Sequence, residues 1–204
     1  MNHSNDSYRH ERHRQDLALR MIRHEARTCT IRECTGLTDD RIRRLYRSYA
    51  HELSEGPVRR RRGKSPRQTT FFIRNTRAQF ESSLLASAFA AFGLLQGEAK
   101  KSPRLQISAV EYGRLFCDAY ETHQQLLDSP TLSFEHAWFL LQLLNRNGEL
   151  QPARCRHCDS YYLRNRFNVW RHTCPTCRLK RMRARCRKSR RLRQCSNSRA
   201  VSHG

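Results

Sequence analysis

Apolar residues recur at helical spacing along most of the chain. From Gln15 onward Leu17, Met21, Ile22 and Ala26 share one face. Residues 1–14 are polar, rich in His and Arg and without a period, which predicts a mobile arm. A short helical segment from Thr30 to Thr35 reaches Gly36, which can take the positive φ of a helix-ending turn. Thr38-Asp39-Asp40 opens the next helix, with a hydroxyl to cap free N–H groups and two carboxylates at the positive end of the dipole. Its buried stripe is Ile42, Leu45, Tyr46 and Tyr49. Residues 15–56 therefore read as a helical region with a helix-turn-helix-like segment, and a small bundle with a solvated basic face fits the same pattern.

Residues 57–75 hold Pro57, Gly63 and Pro66 around the run Arg59 to Arg62, a composition that opposes a helix and predicts a basic loop or linker. A helical core is expected over 76–148. Its first helix runs from about Asn75 to Leu95 with Phe80, Leu84, Ala88, Ala91, Phe92 and Leu95 on its buried side. Ser108-Ala-Val-Glu111 is a capping box for the second, which buries Tyr112, Leu115, Phe116, Ala119, Tyr120 and Leu126. Ser133 caps the third, Phe134 to Asn145, apolar around nearly its whole circumference, so that it is the most buried helix or a subunit interface. Beyond Gly148 the period changes. Tyr161-Tyr-Leu163 and Phe167-Asn-Val-Trp170 are rich in strand formers and predict a small hairpin with its rings packed over whatever lies beneath. Residues 179–204 are a basic tail expected to repel itself into disorder when free and to gain helix along a phosphate backbone.

Charge changes the picture from an ordinary helical protein to one with a polyanionic partner. The chain of 204 residues carries 40 Lys and Arg against 18 Asp and Glu, a formal net charge of +22. Two zones hold the excess. Residues 57–77 carry eight basic residues and no acid, and 151–204 carry sixteen against Asp159 alone. No apolar run approaches the roughly 18 residues that span a bilayer, so no membrane role is expected. The first residues lack the apolar run of a signal peptide, and the nine cysteines are an odd number, which together predict a reducing compartment.

Four of those cysteines stand as Cys155-x2-Cys158 and Cys174-x2-Cys177 with fifteen residues between the pairs, a spacing at which four thiolates close a tetrahedron around one zinc ion. Two cysteine turns aimed at one point gather four negative sulfurs, which needs a dication. All four positions being protein, such a zinc is structural. A redox pair would call for a βαβ context, and a disulfide framework for a secreted chain. His157 and His172 lie beside the thiols as competing ligands, less well matched than the two cysteine pairs. Residues 149–178 thus form a zinc-ribbon-like module. No cluster of nucleophile, base and orienting group is present, and an enzyme is not expected.

The order of parts resembles the C subunit of the bacterial flagellar master regulator, the FlhC family. The resemblance rests on Glu135-His-Ala-Trp138-Phe-Leu-Leu-Gln-Leu-Leu-Asn145-Arg-Asn-Gly148-Glu-Leu150 running into the first cysteine pair, and spans roughly Gln15 to Arg178. It implies a cytoplasmic DNA-binding transcription activator working with a small helical FlhD-like subunit in a hetero-oligomer that helps RNA polymerase at flagellar promoters. It also implies Cys155, Cys158, Cys174 and Cys177 as zinc ligands. The tail beyond Lys180 and the run Arg59 to Arg62 are more basic than that pattern. Arg156, Arg164, Arg166, Arg171 and Arg178 are the expected phosphate contacts, and Arg43, Arg44 and Arg47 the expected base contacts. A zinc-stabilised RNA-binding or ribosome-associated protein is the competing reading, because Tyr161, Tyr162, Phe167 and Trp170 would stack on unpaired bases if exposed.

Overall fold

The computed structural model describes residues 3–52, 58, 61, 63, 66–95, 107–146, 148–167 and 172–187. Its described elements are α1 (His3–Arg23), α2 (Thr28–Thr35), α3 (Asp39–Glu52), a 3-10 turn (Thr69–Ile73), α4 (Thr76–Ala91), α5 (Ala109–Gln125), α6 (Phe134–Asn145), β1 (Leu150–Arg154) and β2 (Tyr161–Asn165). A further helix covers 175–187. The protein is mainly helical, as its periodicity predicts.

Helix α1 begins at His3, so most of the expected arm is helical. Its polar middle reaches its neighbours through Glu11 and Arg14, whereas residues 7–10 are exposed. Glu11 pairs with Arg41 of α3 at 2.7 Å, and Arg14 Nε donates to the Thr35 carbonyl at 2.6 Å. That second bond serves the end of α2, where Gly36 sits at φ 67° with its N–H on the Arg32 carbonyl. A Cβ on Gly36 would run into the Arg14 guanidinium. Helices α2 and α3 follow one another across this turn, and Ile42, Tyr46 and Tyr49 bury the face of α3 that was expected to be inward.

Ser108 and Ser133 cap α5 and α6 by accepting from Glu111 N and His136 N. Between these helices Phe116 is the hub, with Phe134 and Trp138 each 4.9 Å from its ring and Phe89 of α4 at 5.8 Å. Edge-to-face pairs of this kind add about 0.5 to 1.5 kcal/mol each beyond area burial. Arg20 of α1 reaches Asp118 and Glu121 of α5, both at 2.6 Å, and this pairing holds the Glu121 carboxyl below its usual range. Most of α6 is buried within the chain itself.

Three expectations are corrected here. Helix α4 buries Ala78, Ser82, Leu85 and Phe89, whereas Phe80 is 47% exposed and Ala91 is exposed. Leu126 lies past the end of α5, 60% exposed. Within 57–75, Phe72 is fully buried in the 3-10 turn, Val58 packs against the core and Arg61 pairs with Glu25 at 2.7 Å. Arg59, Arg60 and Arg62 lie outside the described residues. The apolar triplet Phe71-Phe72-Ile73 outweighs the surrounding glycines and prolines.

Candidate metal centre and nucleic-acid interface

Helix α6 leads through Gly148 directly into β1, and the first cysteine pair is the turn that reverses the chain into β2. The hairpin therefore straddles Cys155 to Cys158, with Leu150 opposite Asn165 and Arg154 opposite Tyr161. This corrects the expected hairpin between the cysteine pairs. Residues 168–170, the rest of its predicted second strand, lie outside the described residues. The turn closes with Cys155 N on the Ser160 carbonyl at 3.0 Å and Asp159 N on the Cys155 carbonyl at 2.9 Å, Asp159 taking φ 55°.

The second pair opens the helix over 175–187. Pro175 occupies its first turn, where a missing N–H costs nothing, and Cys177 N donates to Cys174 Sγ at 3.4 Å, so the thiol acts as the cap. Arg156 N donates to the His172 carbonyl at 3.1 Å and joins the two turns.

The sulfurs of Cys155, Cys158, Cys174 and Cys177 all lie within 4.8 Å of one another, and Cys158 and Cys174 are 3.6 Å apart. A zinc bound tetrahedrally at about 2.3 Å would set neighbouring sulfurs about 3.8 Å apart, so the cluster fits zinc. Burial pushes the Cys155 thiol up, but the backbone N–H groups of Cys174, His157 and Cys158 outweigh it and bring it down to about 6. Cys158 is also lowered, by Ser160 first, whereas Cys177 is pushed up to about 12 by its neighbours Cys158 and Cys174 and by burial. Four thiols that cannot all ionise unaided are the electrostatic signature of a cation site. Neither histidine belongs to the cluster, and His157 is taken up by Arg181.

The module is fastened to α4. Gln79 Nε2 donates to the Leu163 carbonyl at 2.6 Å, Leu163 N donates to Ser83 Oγ at 2.9 Å, and Arg178 donates to Gln79 Oε1. Leu150 and Leu163 belong to the main core. The sequence gives only one hint of this joint, Gln79 and Ser83 four apart on α4, and nothing in it names their partner.

The expected DNA-contacting residues fall in separate places. Arg43, Arg44 and Arg47 are exposed on α3, with Arg43 on Asp40 at 2.9 Å; α3 packs on α1 and α2. The module packs on α4, α6 and the 3-10 turn. On it, Arg156 and Arg166 are exposed and Arg164 is half-buried across the strand from Gln151. Arg171 lies outside the described residues. Arg178 is half-buried and donates to Gln79 Oε1. Residues 179–187, expected to be disordered, are helical and exposed, and they add Lys180, Arg181, Arg183, Arg185 and Arg187 to the basic surface. Like charges oppose a free helix here, so only a nucleus such as the Cys174 cap makes it form.

The aromatic cluster divides. Tyr162 is buried against Cys155 and Cys174, while Tyr161 is 57% and Phe167 75% exposed. Arg154 lies over the Tyr161 ring at 4.7 Å. A groove of about 290 Å³ runs beside the thiols between Phe80 and Leu84 of α4, Tyr161 and Lys180. Among the described residues no helix is long and apolar enough to cross a membrane.

Fold and site together define a mainly helical, strongly basic protein with a four-cysteine module suited to holding a metal. The chain belongs to the FlhC family of flagellar transcriptional activators, whose model matches residues 3–193. This is a family of transcription regulators and not of enzymes. Comparison with curated proteins gives no match.

Proposed function

We propose that the protein activates transcription in the cytoplasm by binding duplex DNA at flagellar or related bacterial promoters. It acts there with a FlhD-like subunit in a hetero-oligomer and with RNA polymerase. The observation that carries this is the family match over residues 3–193 together with a C-terminal zone that holds sixteen basic residues and a single acid. One zinc ion held by Cys155, Cys158, Cys174 and Cys177 shapes that zone. Arg156, Arg164, Arg166 and Arg171 contact phosphates, and Arg43, Arg44 and Arg47 on α3 read base edges.

A DNA crosslinking map of the native protein beside a Cys174→Ser variant tests this. Sharp peaks upstream of operons, absent from the variant, are expected. Diffuse signal unchanged by the substitution would put RNA first, a reading supported by the exposed rings of Tyr161 and Phe167.

A further inference from the structure

We infer that the helix over 175–187 is a second duplex-contacting element, one that enters the DNA major groove at an angle set by the metal module. This rests on the duplex-DNA reading above.

The contacts this helix makes among the described residues lie in its first two turns: the Cys174 cap, Arg178 on Gln79 and Arg181 on His157. From Leu179 on, every described residue is exposed, so the helix projects from the body. Among the described residues no carboxylate lies within ion-pair distance of Lys180, Arg183, Arg185 or Arg187. An exposed helix whose cations meet no carboxylate among the described residues matches one class of partner, a polyanion.

The arrangement of the cations favours a duplex. At about 100° per residue, Lys180, Arg183 and Arg187 form one ridge and Arg181 and Arg185 another. Ala184 lies between them, and Leu179, Met182 and Cys186 fall away from it. A small side chain flanked by two cationic ridges lets the backbone approach base edges while each ridge reaches one phosphate strand. A helix about 10 to 12 Å across fits a major groove about 12 Å wide, and Ala is a partner for the thymine methyl group. An unpaired RNA strand has no second phosphate wall for the second ridge.

The test uses the protein purified as its zinc-loaded native complex and a 30-base-pair duplex chosen by that complex from a random library. Three forms are compared by fluorescence anisotropy across KCl concentrations: the native chain, Ala184→Pro, and a chain ending at Arg178. Proline breaks the helix while keeping every charge. One zinc per chain in each variant verifies that the module is intact. The expected result is a loss of at least about tenfold for Ala184→Pro on the selected duplex but less than about threefold on random duplex. The truncated chain should lose at least about two from the slope of log K against log salt. Unchanged binding by Ala184→Pro with a weakened truncated chain would make the segment a charged tether and overturn the inference, as would no change in either. Preference of the native complex for single-stranded RNA of the same length, or no duplex binding by it at all, would sink the functional reading itself.

Discussion

Glu81 is a carboxylate almost wholly removed from water, and it earns that position by serving three donors. Thr131 N, Leu132 N and Thr131 Oγ reach it at 2.5, 2.8 and 2.6 Å, and so it pins the connection between α5 and α6. Glu135 does the same for the α1–α2 turn through Arg27 N and Thr30 Oγ. Glu81→Gln turns one acceptor into a donor facing donors and should cost roughly 2 to 3 kcal/mol by chemical denaturation. Arg114→Gln, on the surface of α5, should stay within about 0.5 kcal/mol. His123, fully buried beside Glu81, and half-buried His136 are both held below the usual imidazole range by burial. The unfolded chain takes up these protons at higher pH than the folded one. Stability therefore falls as pH drops below about 6.5, and the loss is complete only below the folded values. Denaturation at pH 7.5 and 5.5 should show the decline, and His123→Gln should reduce it.

At the scale of elements, the helices with explicit stops were legible. Gly36, Ser108 and Ser133 mark their ends chemically, and the two cysteine pairs mark the module by spacing alone. What escaped depends on partners distant in sequence. The polar stretch around Glu11 and Arg14 of α1 is fixed by Arg41 and by the Thr35 carbonyl. Helix α4 hides polar Gln79, Glu81 and Ser83 in order to serve β2 and Thr131, so a count of apolar residues selects the wrong face. The tail helix owes its start to a thiol cap that no propensity scale contains. Removing the metal that the four cysteines are suited to hold should therefore melt the hairpin and the 175–187 helix while α1 to α6 persist, a change visible as partial loss of helical circular dichroism and of amide protection at Leu163. Ser83→Ala leaves the Leu163 N–H without its acceptor and should destabilise the module by about 1 to 3 kcal/mol, read as faster metal loss to a chelator.

Across the whole molecule the acids are largely committed internally. Glu11, Glu25, Asp118, Glu121 and Glu135 each pair with an arginine of another element. The formal charge of +22 is thus concentrated at the surface and toward the C-terminal end, where Asp159 alone opposes it. Such a protein gathers at high local density wherever its polyanion lies, and crowding of that kind favours strand-to-strand aggregation. One border of the two-stranded sheet is covered, and the other carries a residue that cannot donate. Leu163 turns its N–H and carbonyl away from β1, onto Ser83 and Gln79, so one border is already occupied by a helix. Pro152 stands opposite Leu163 in the register and faces the other border, where it has no N–H to offer an incoming strand. Pro152→Thr should restore that donor and produce concentration-dependent association in light scattering, most of all when the protein is packed along DNA.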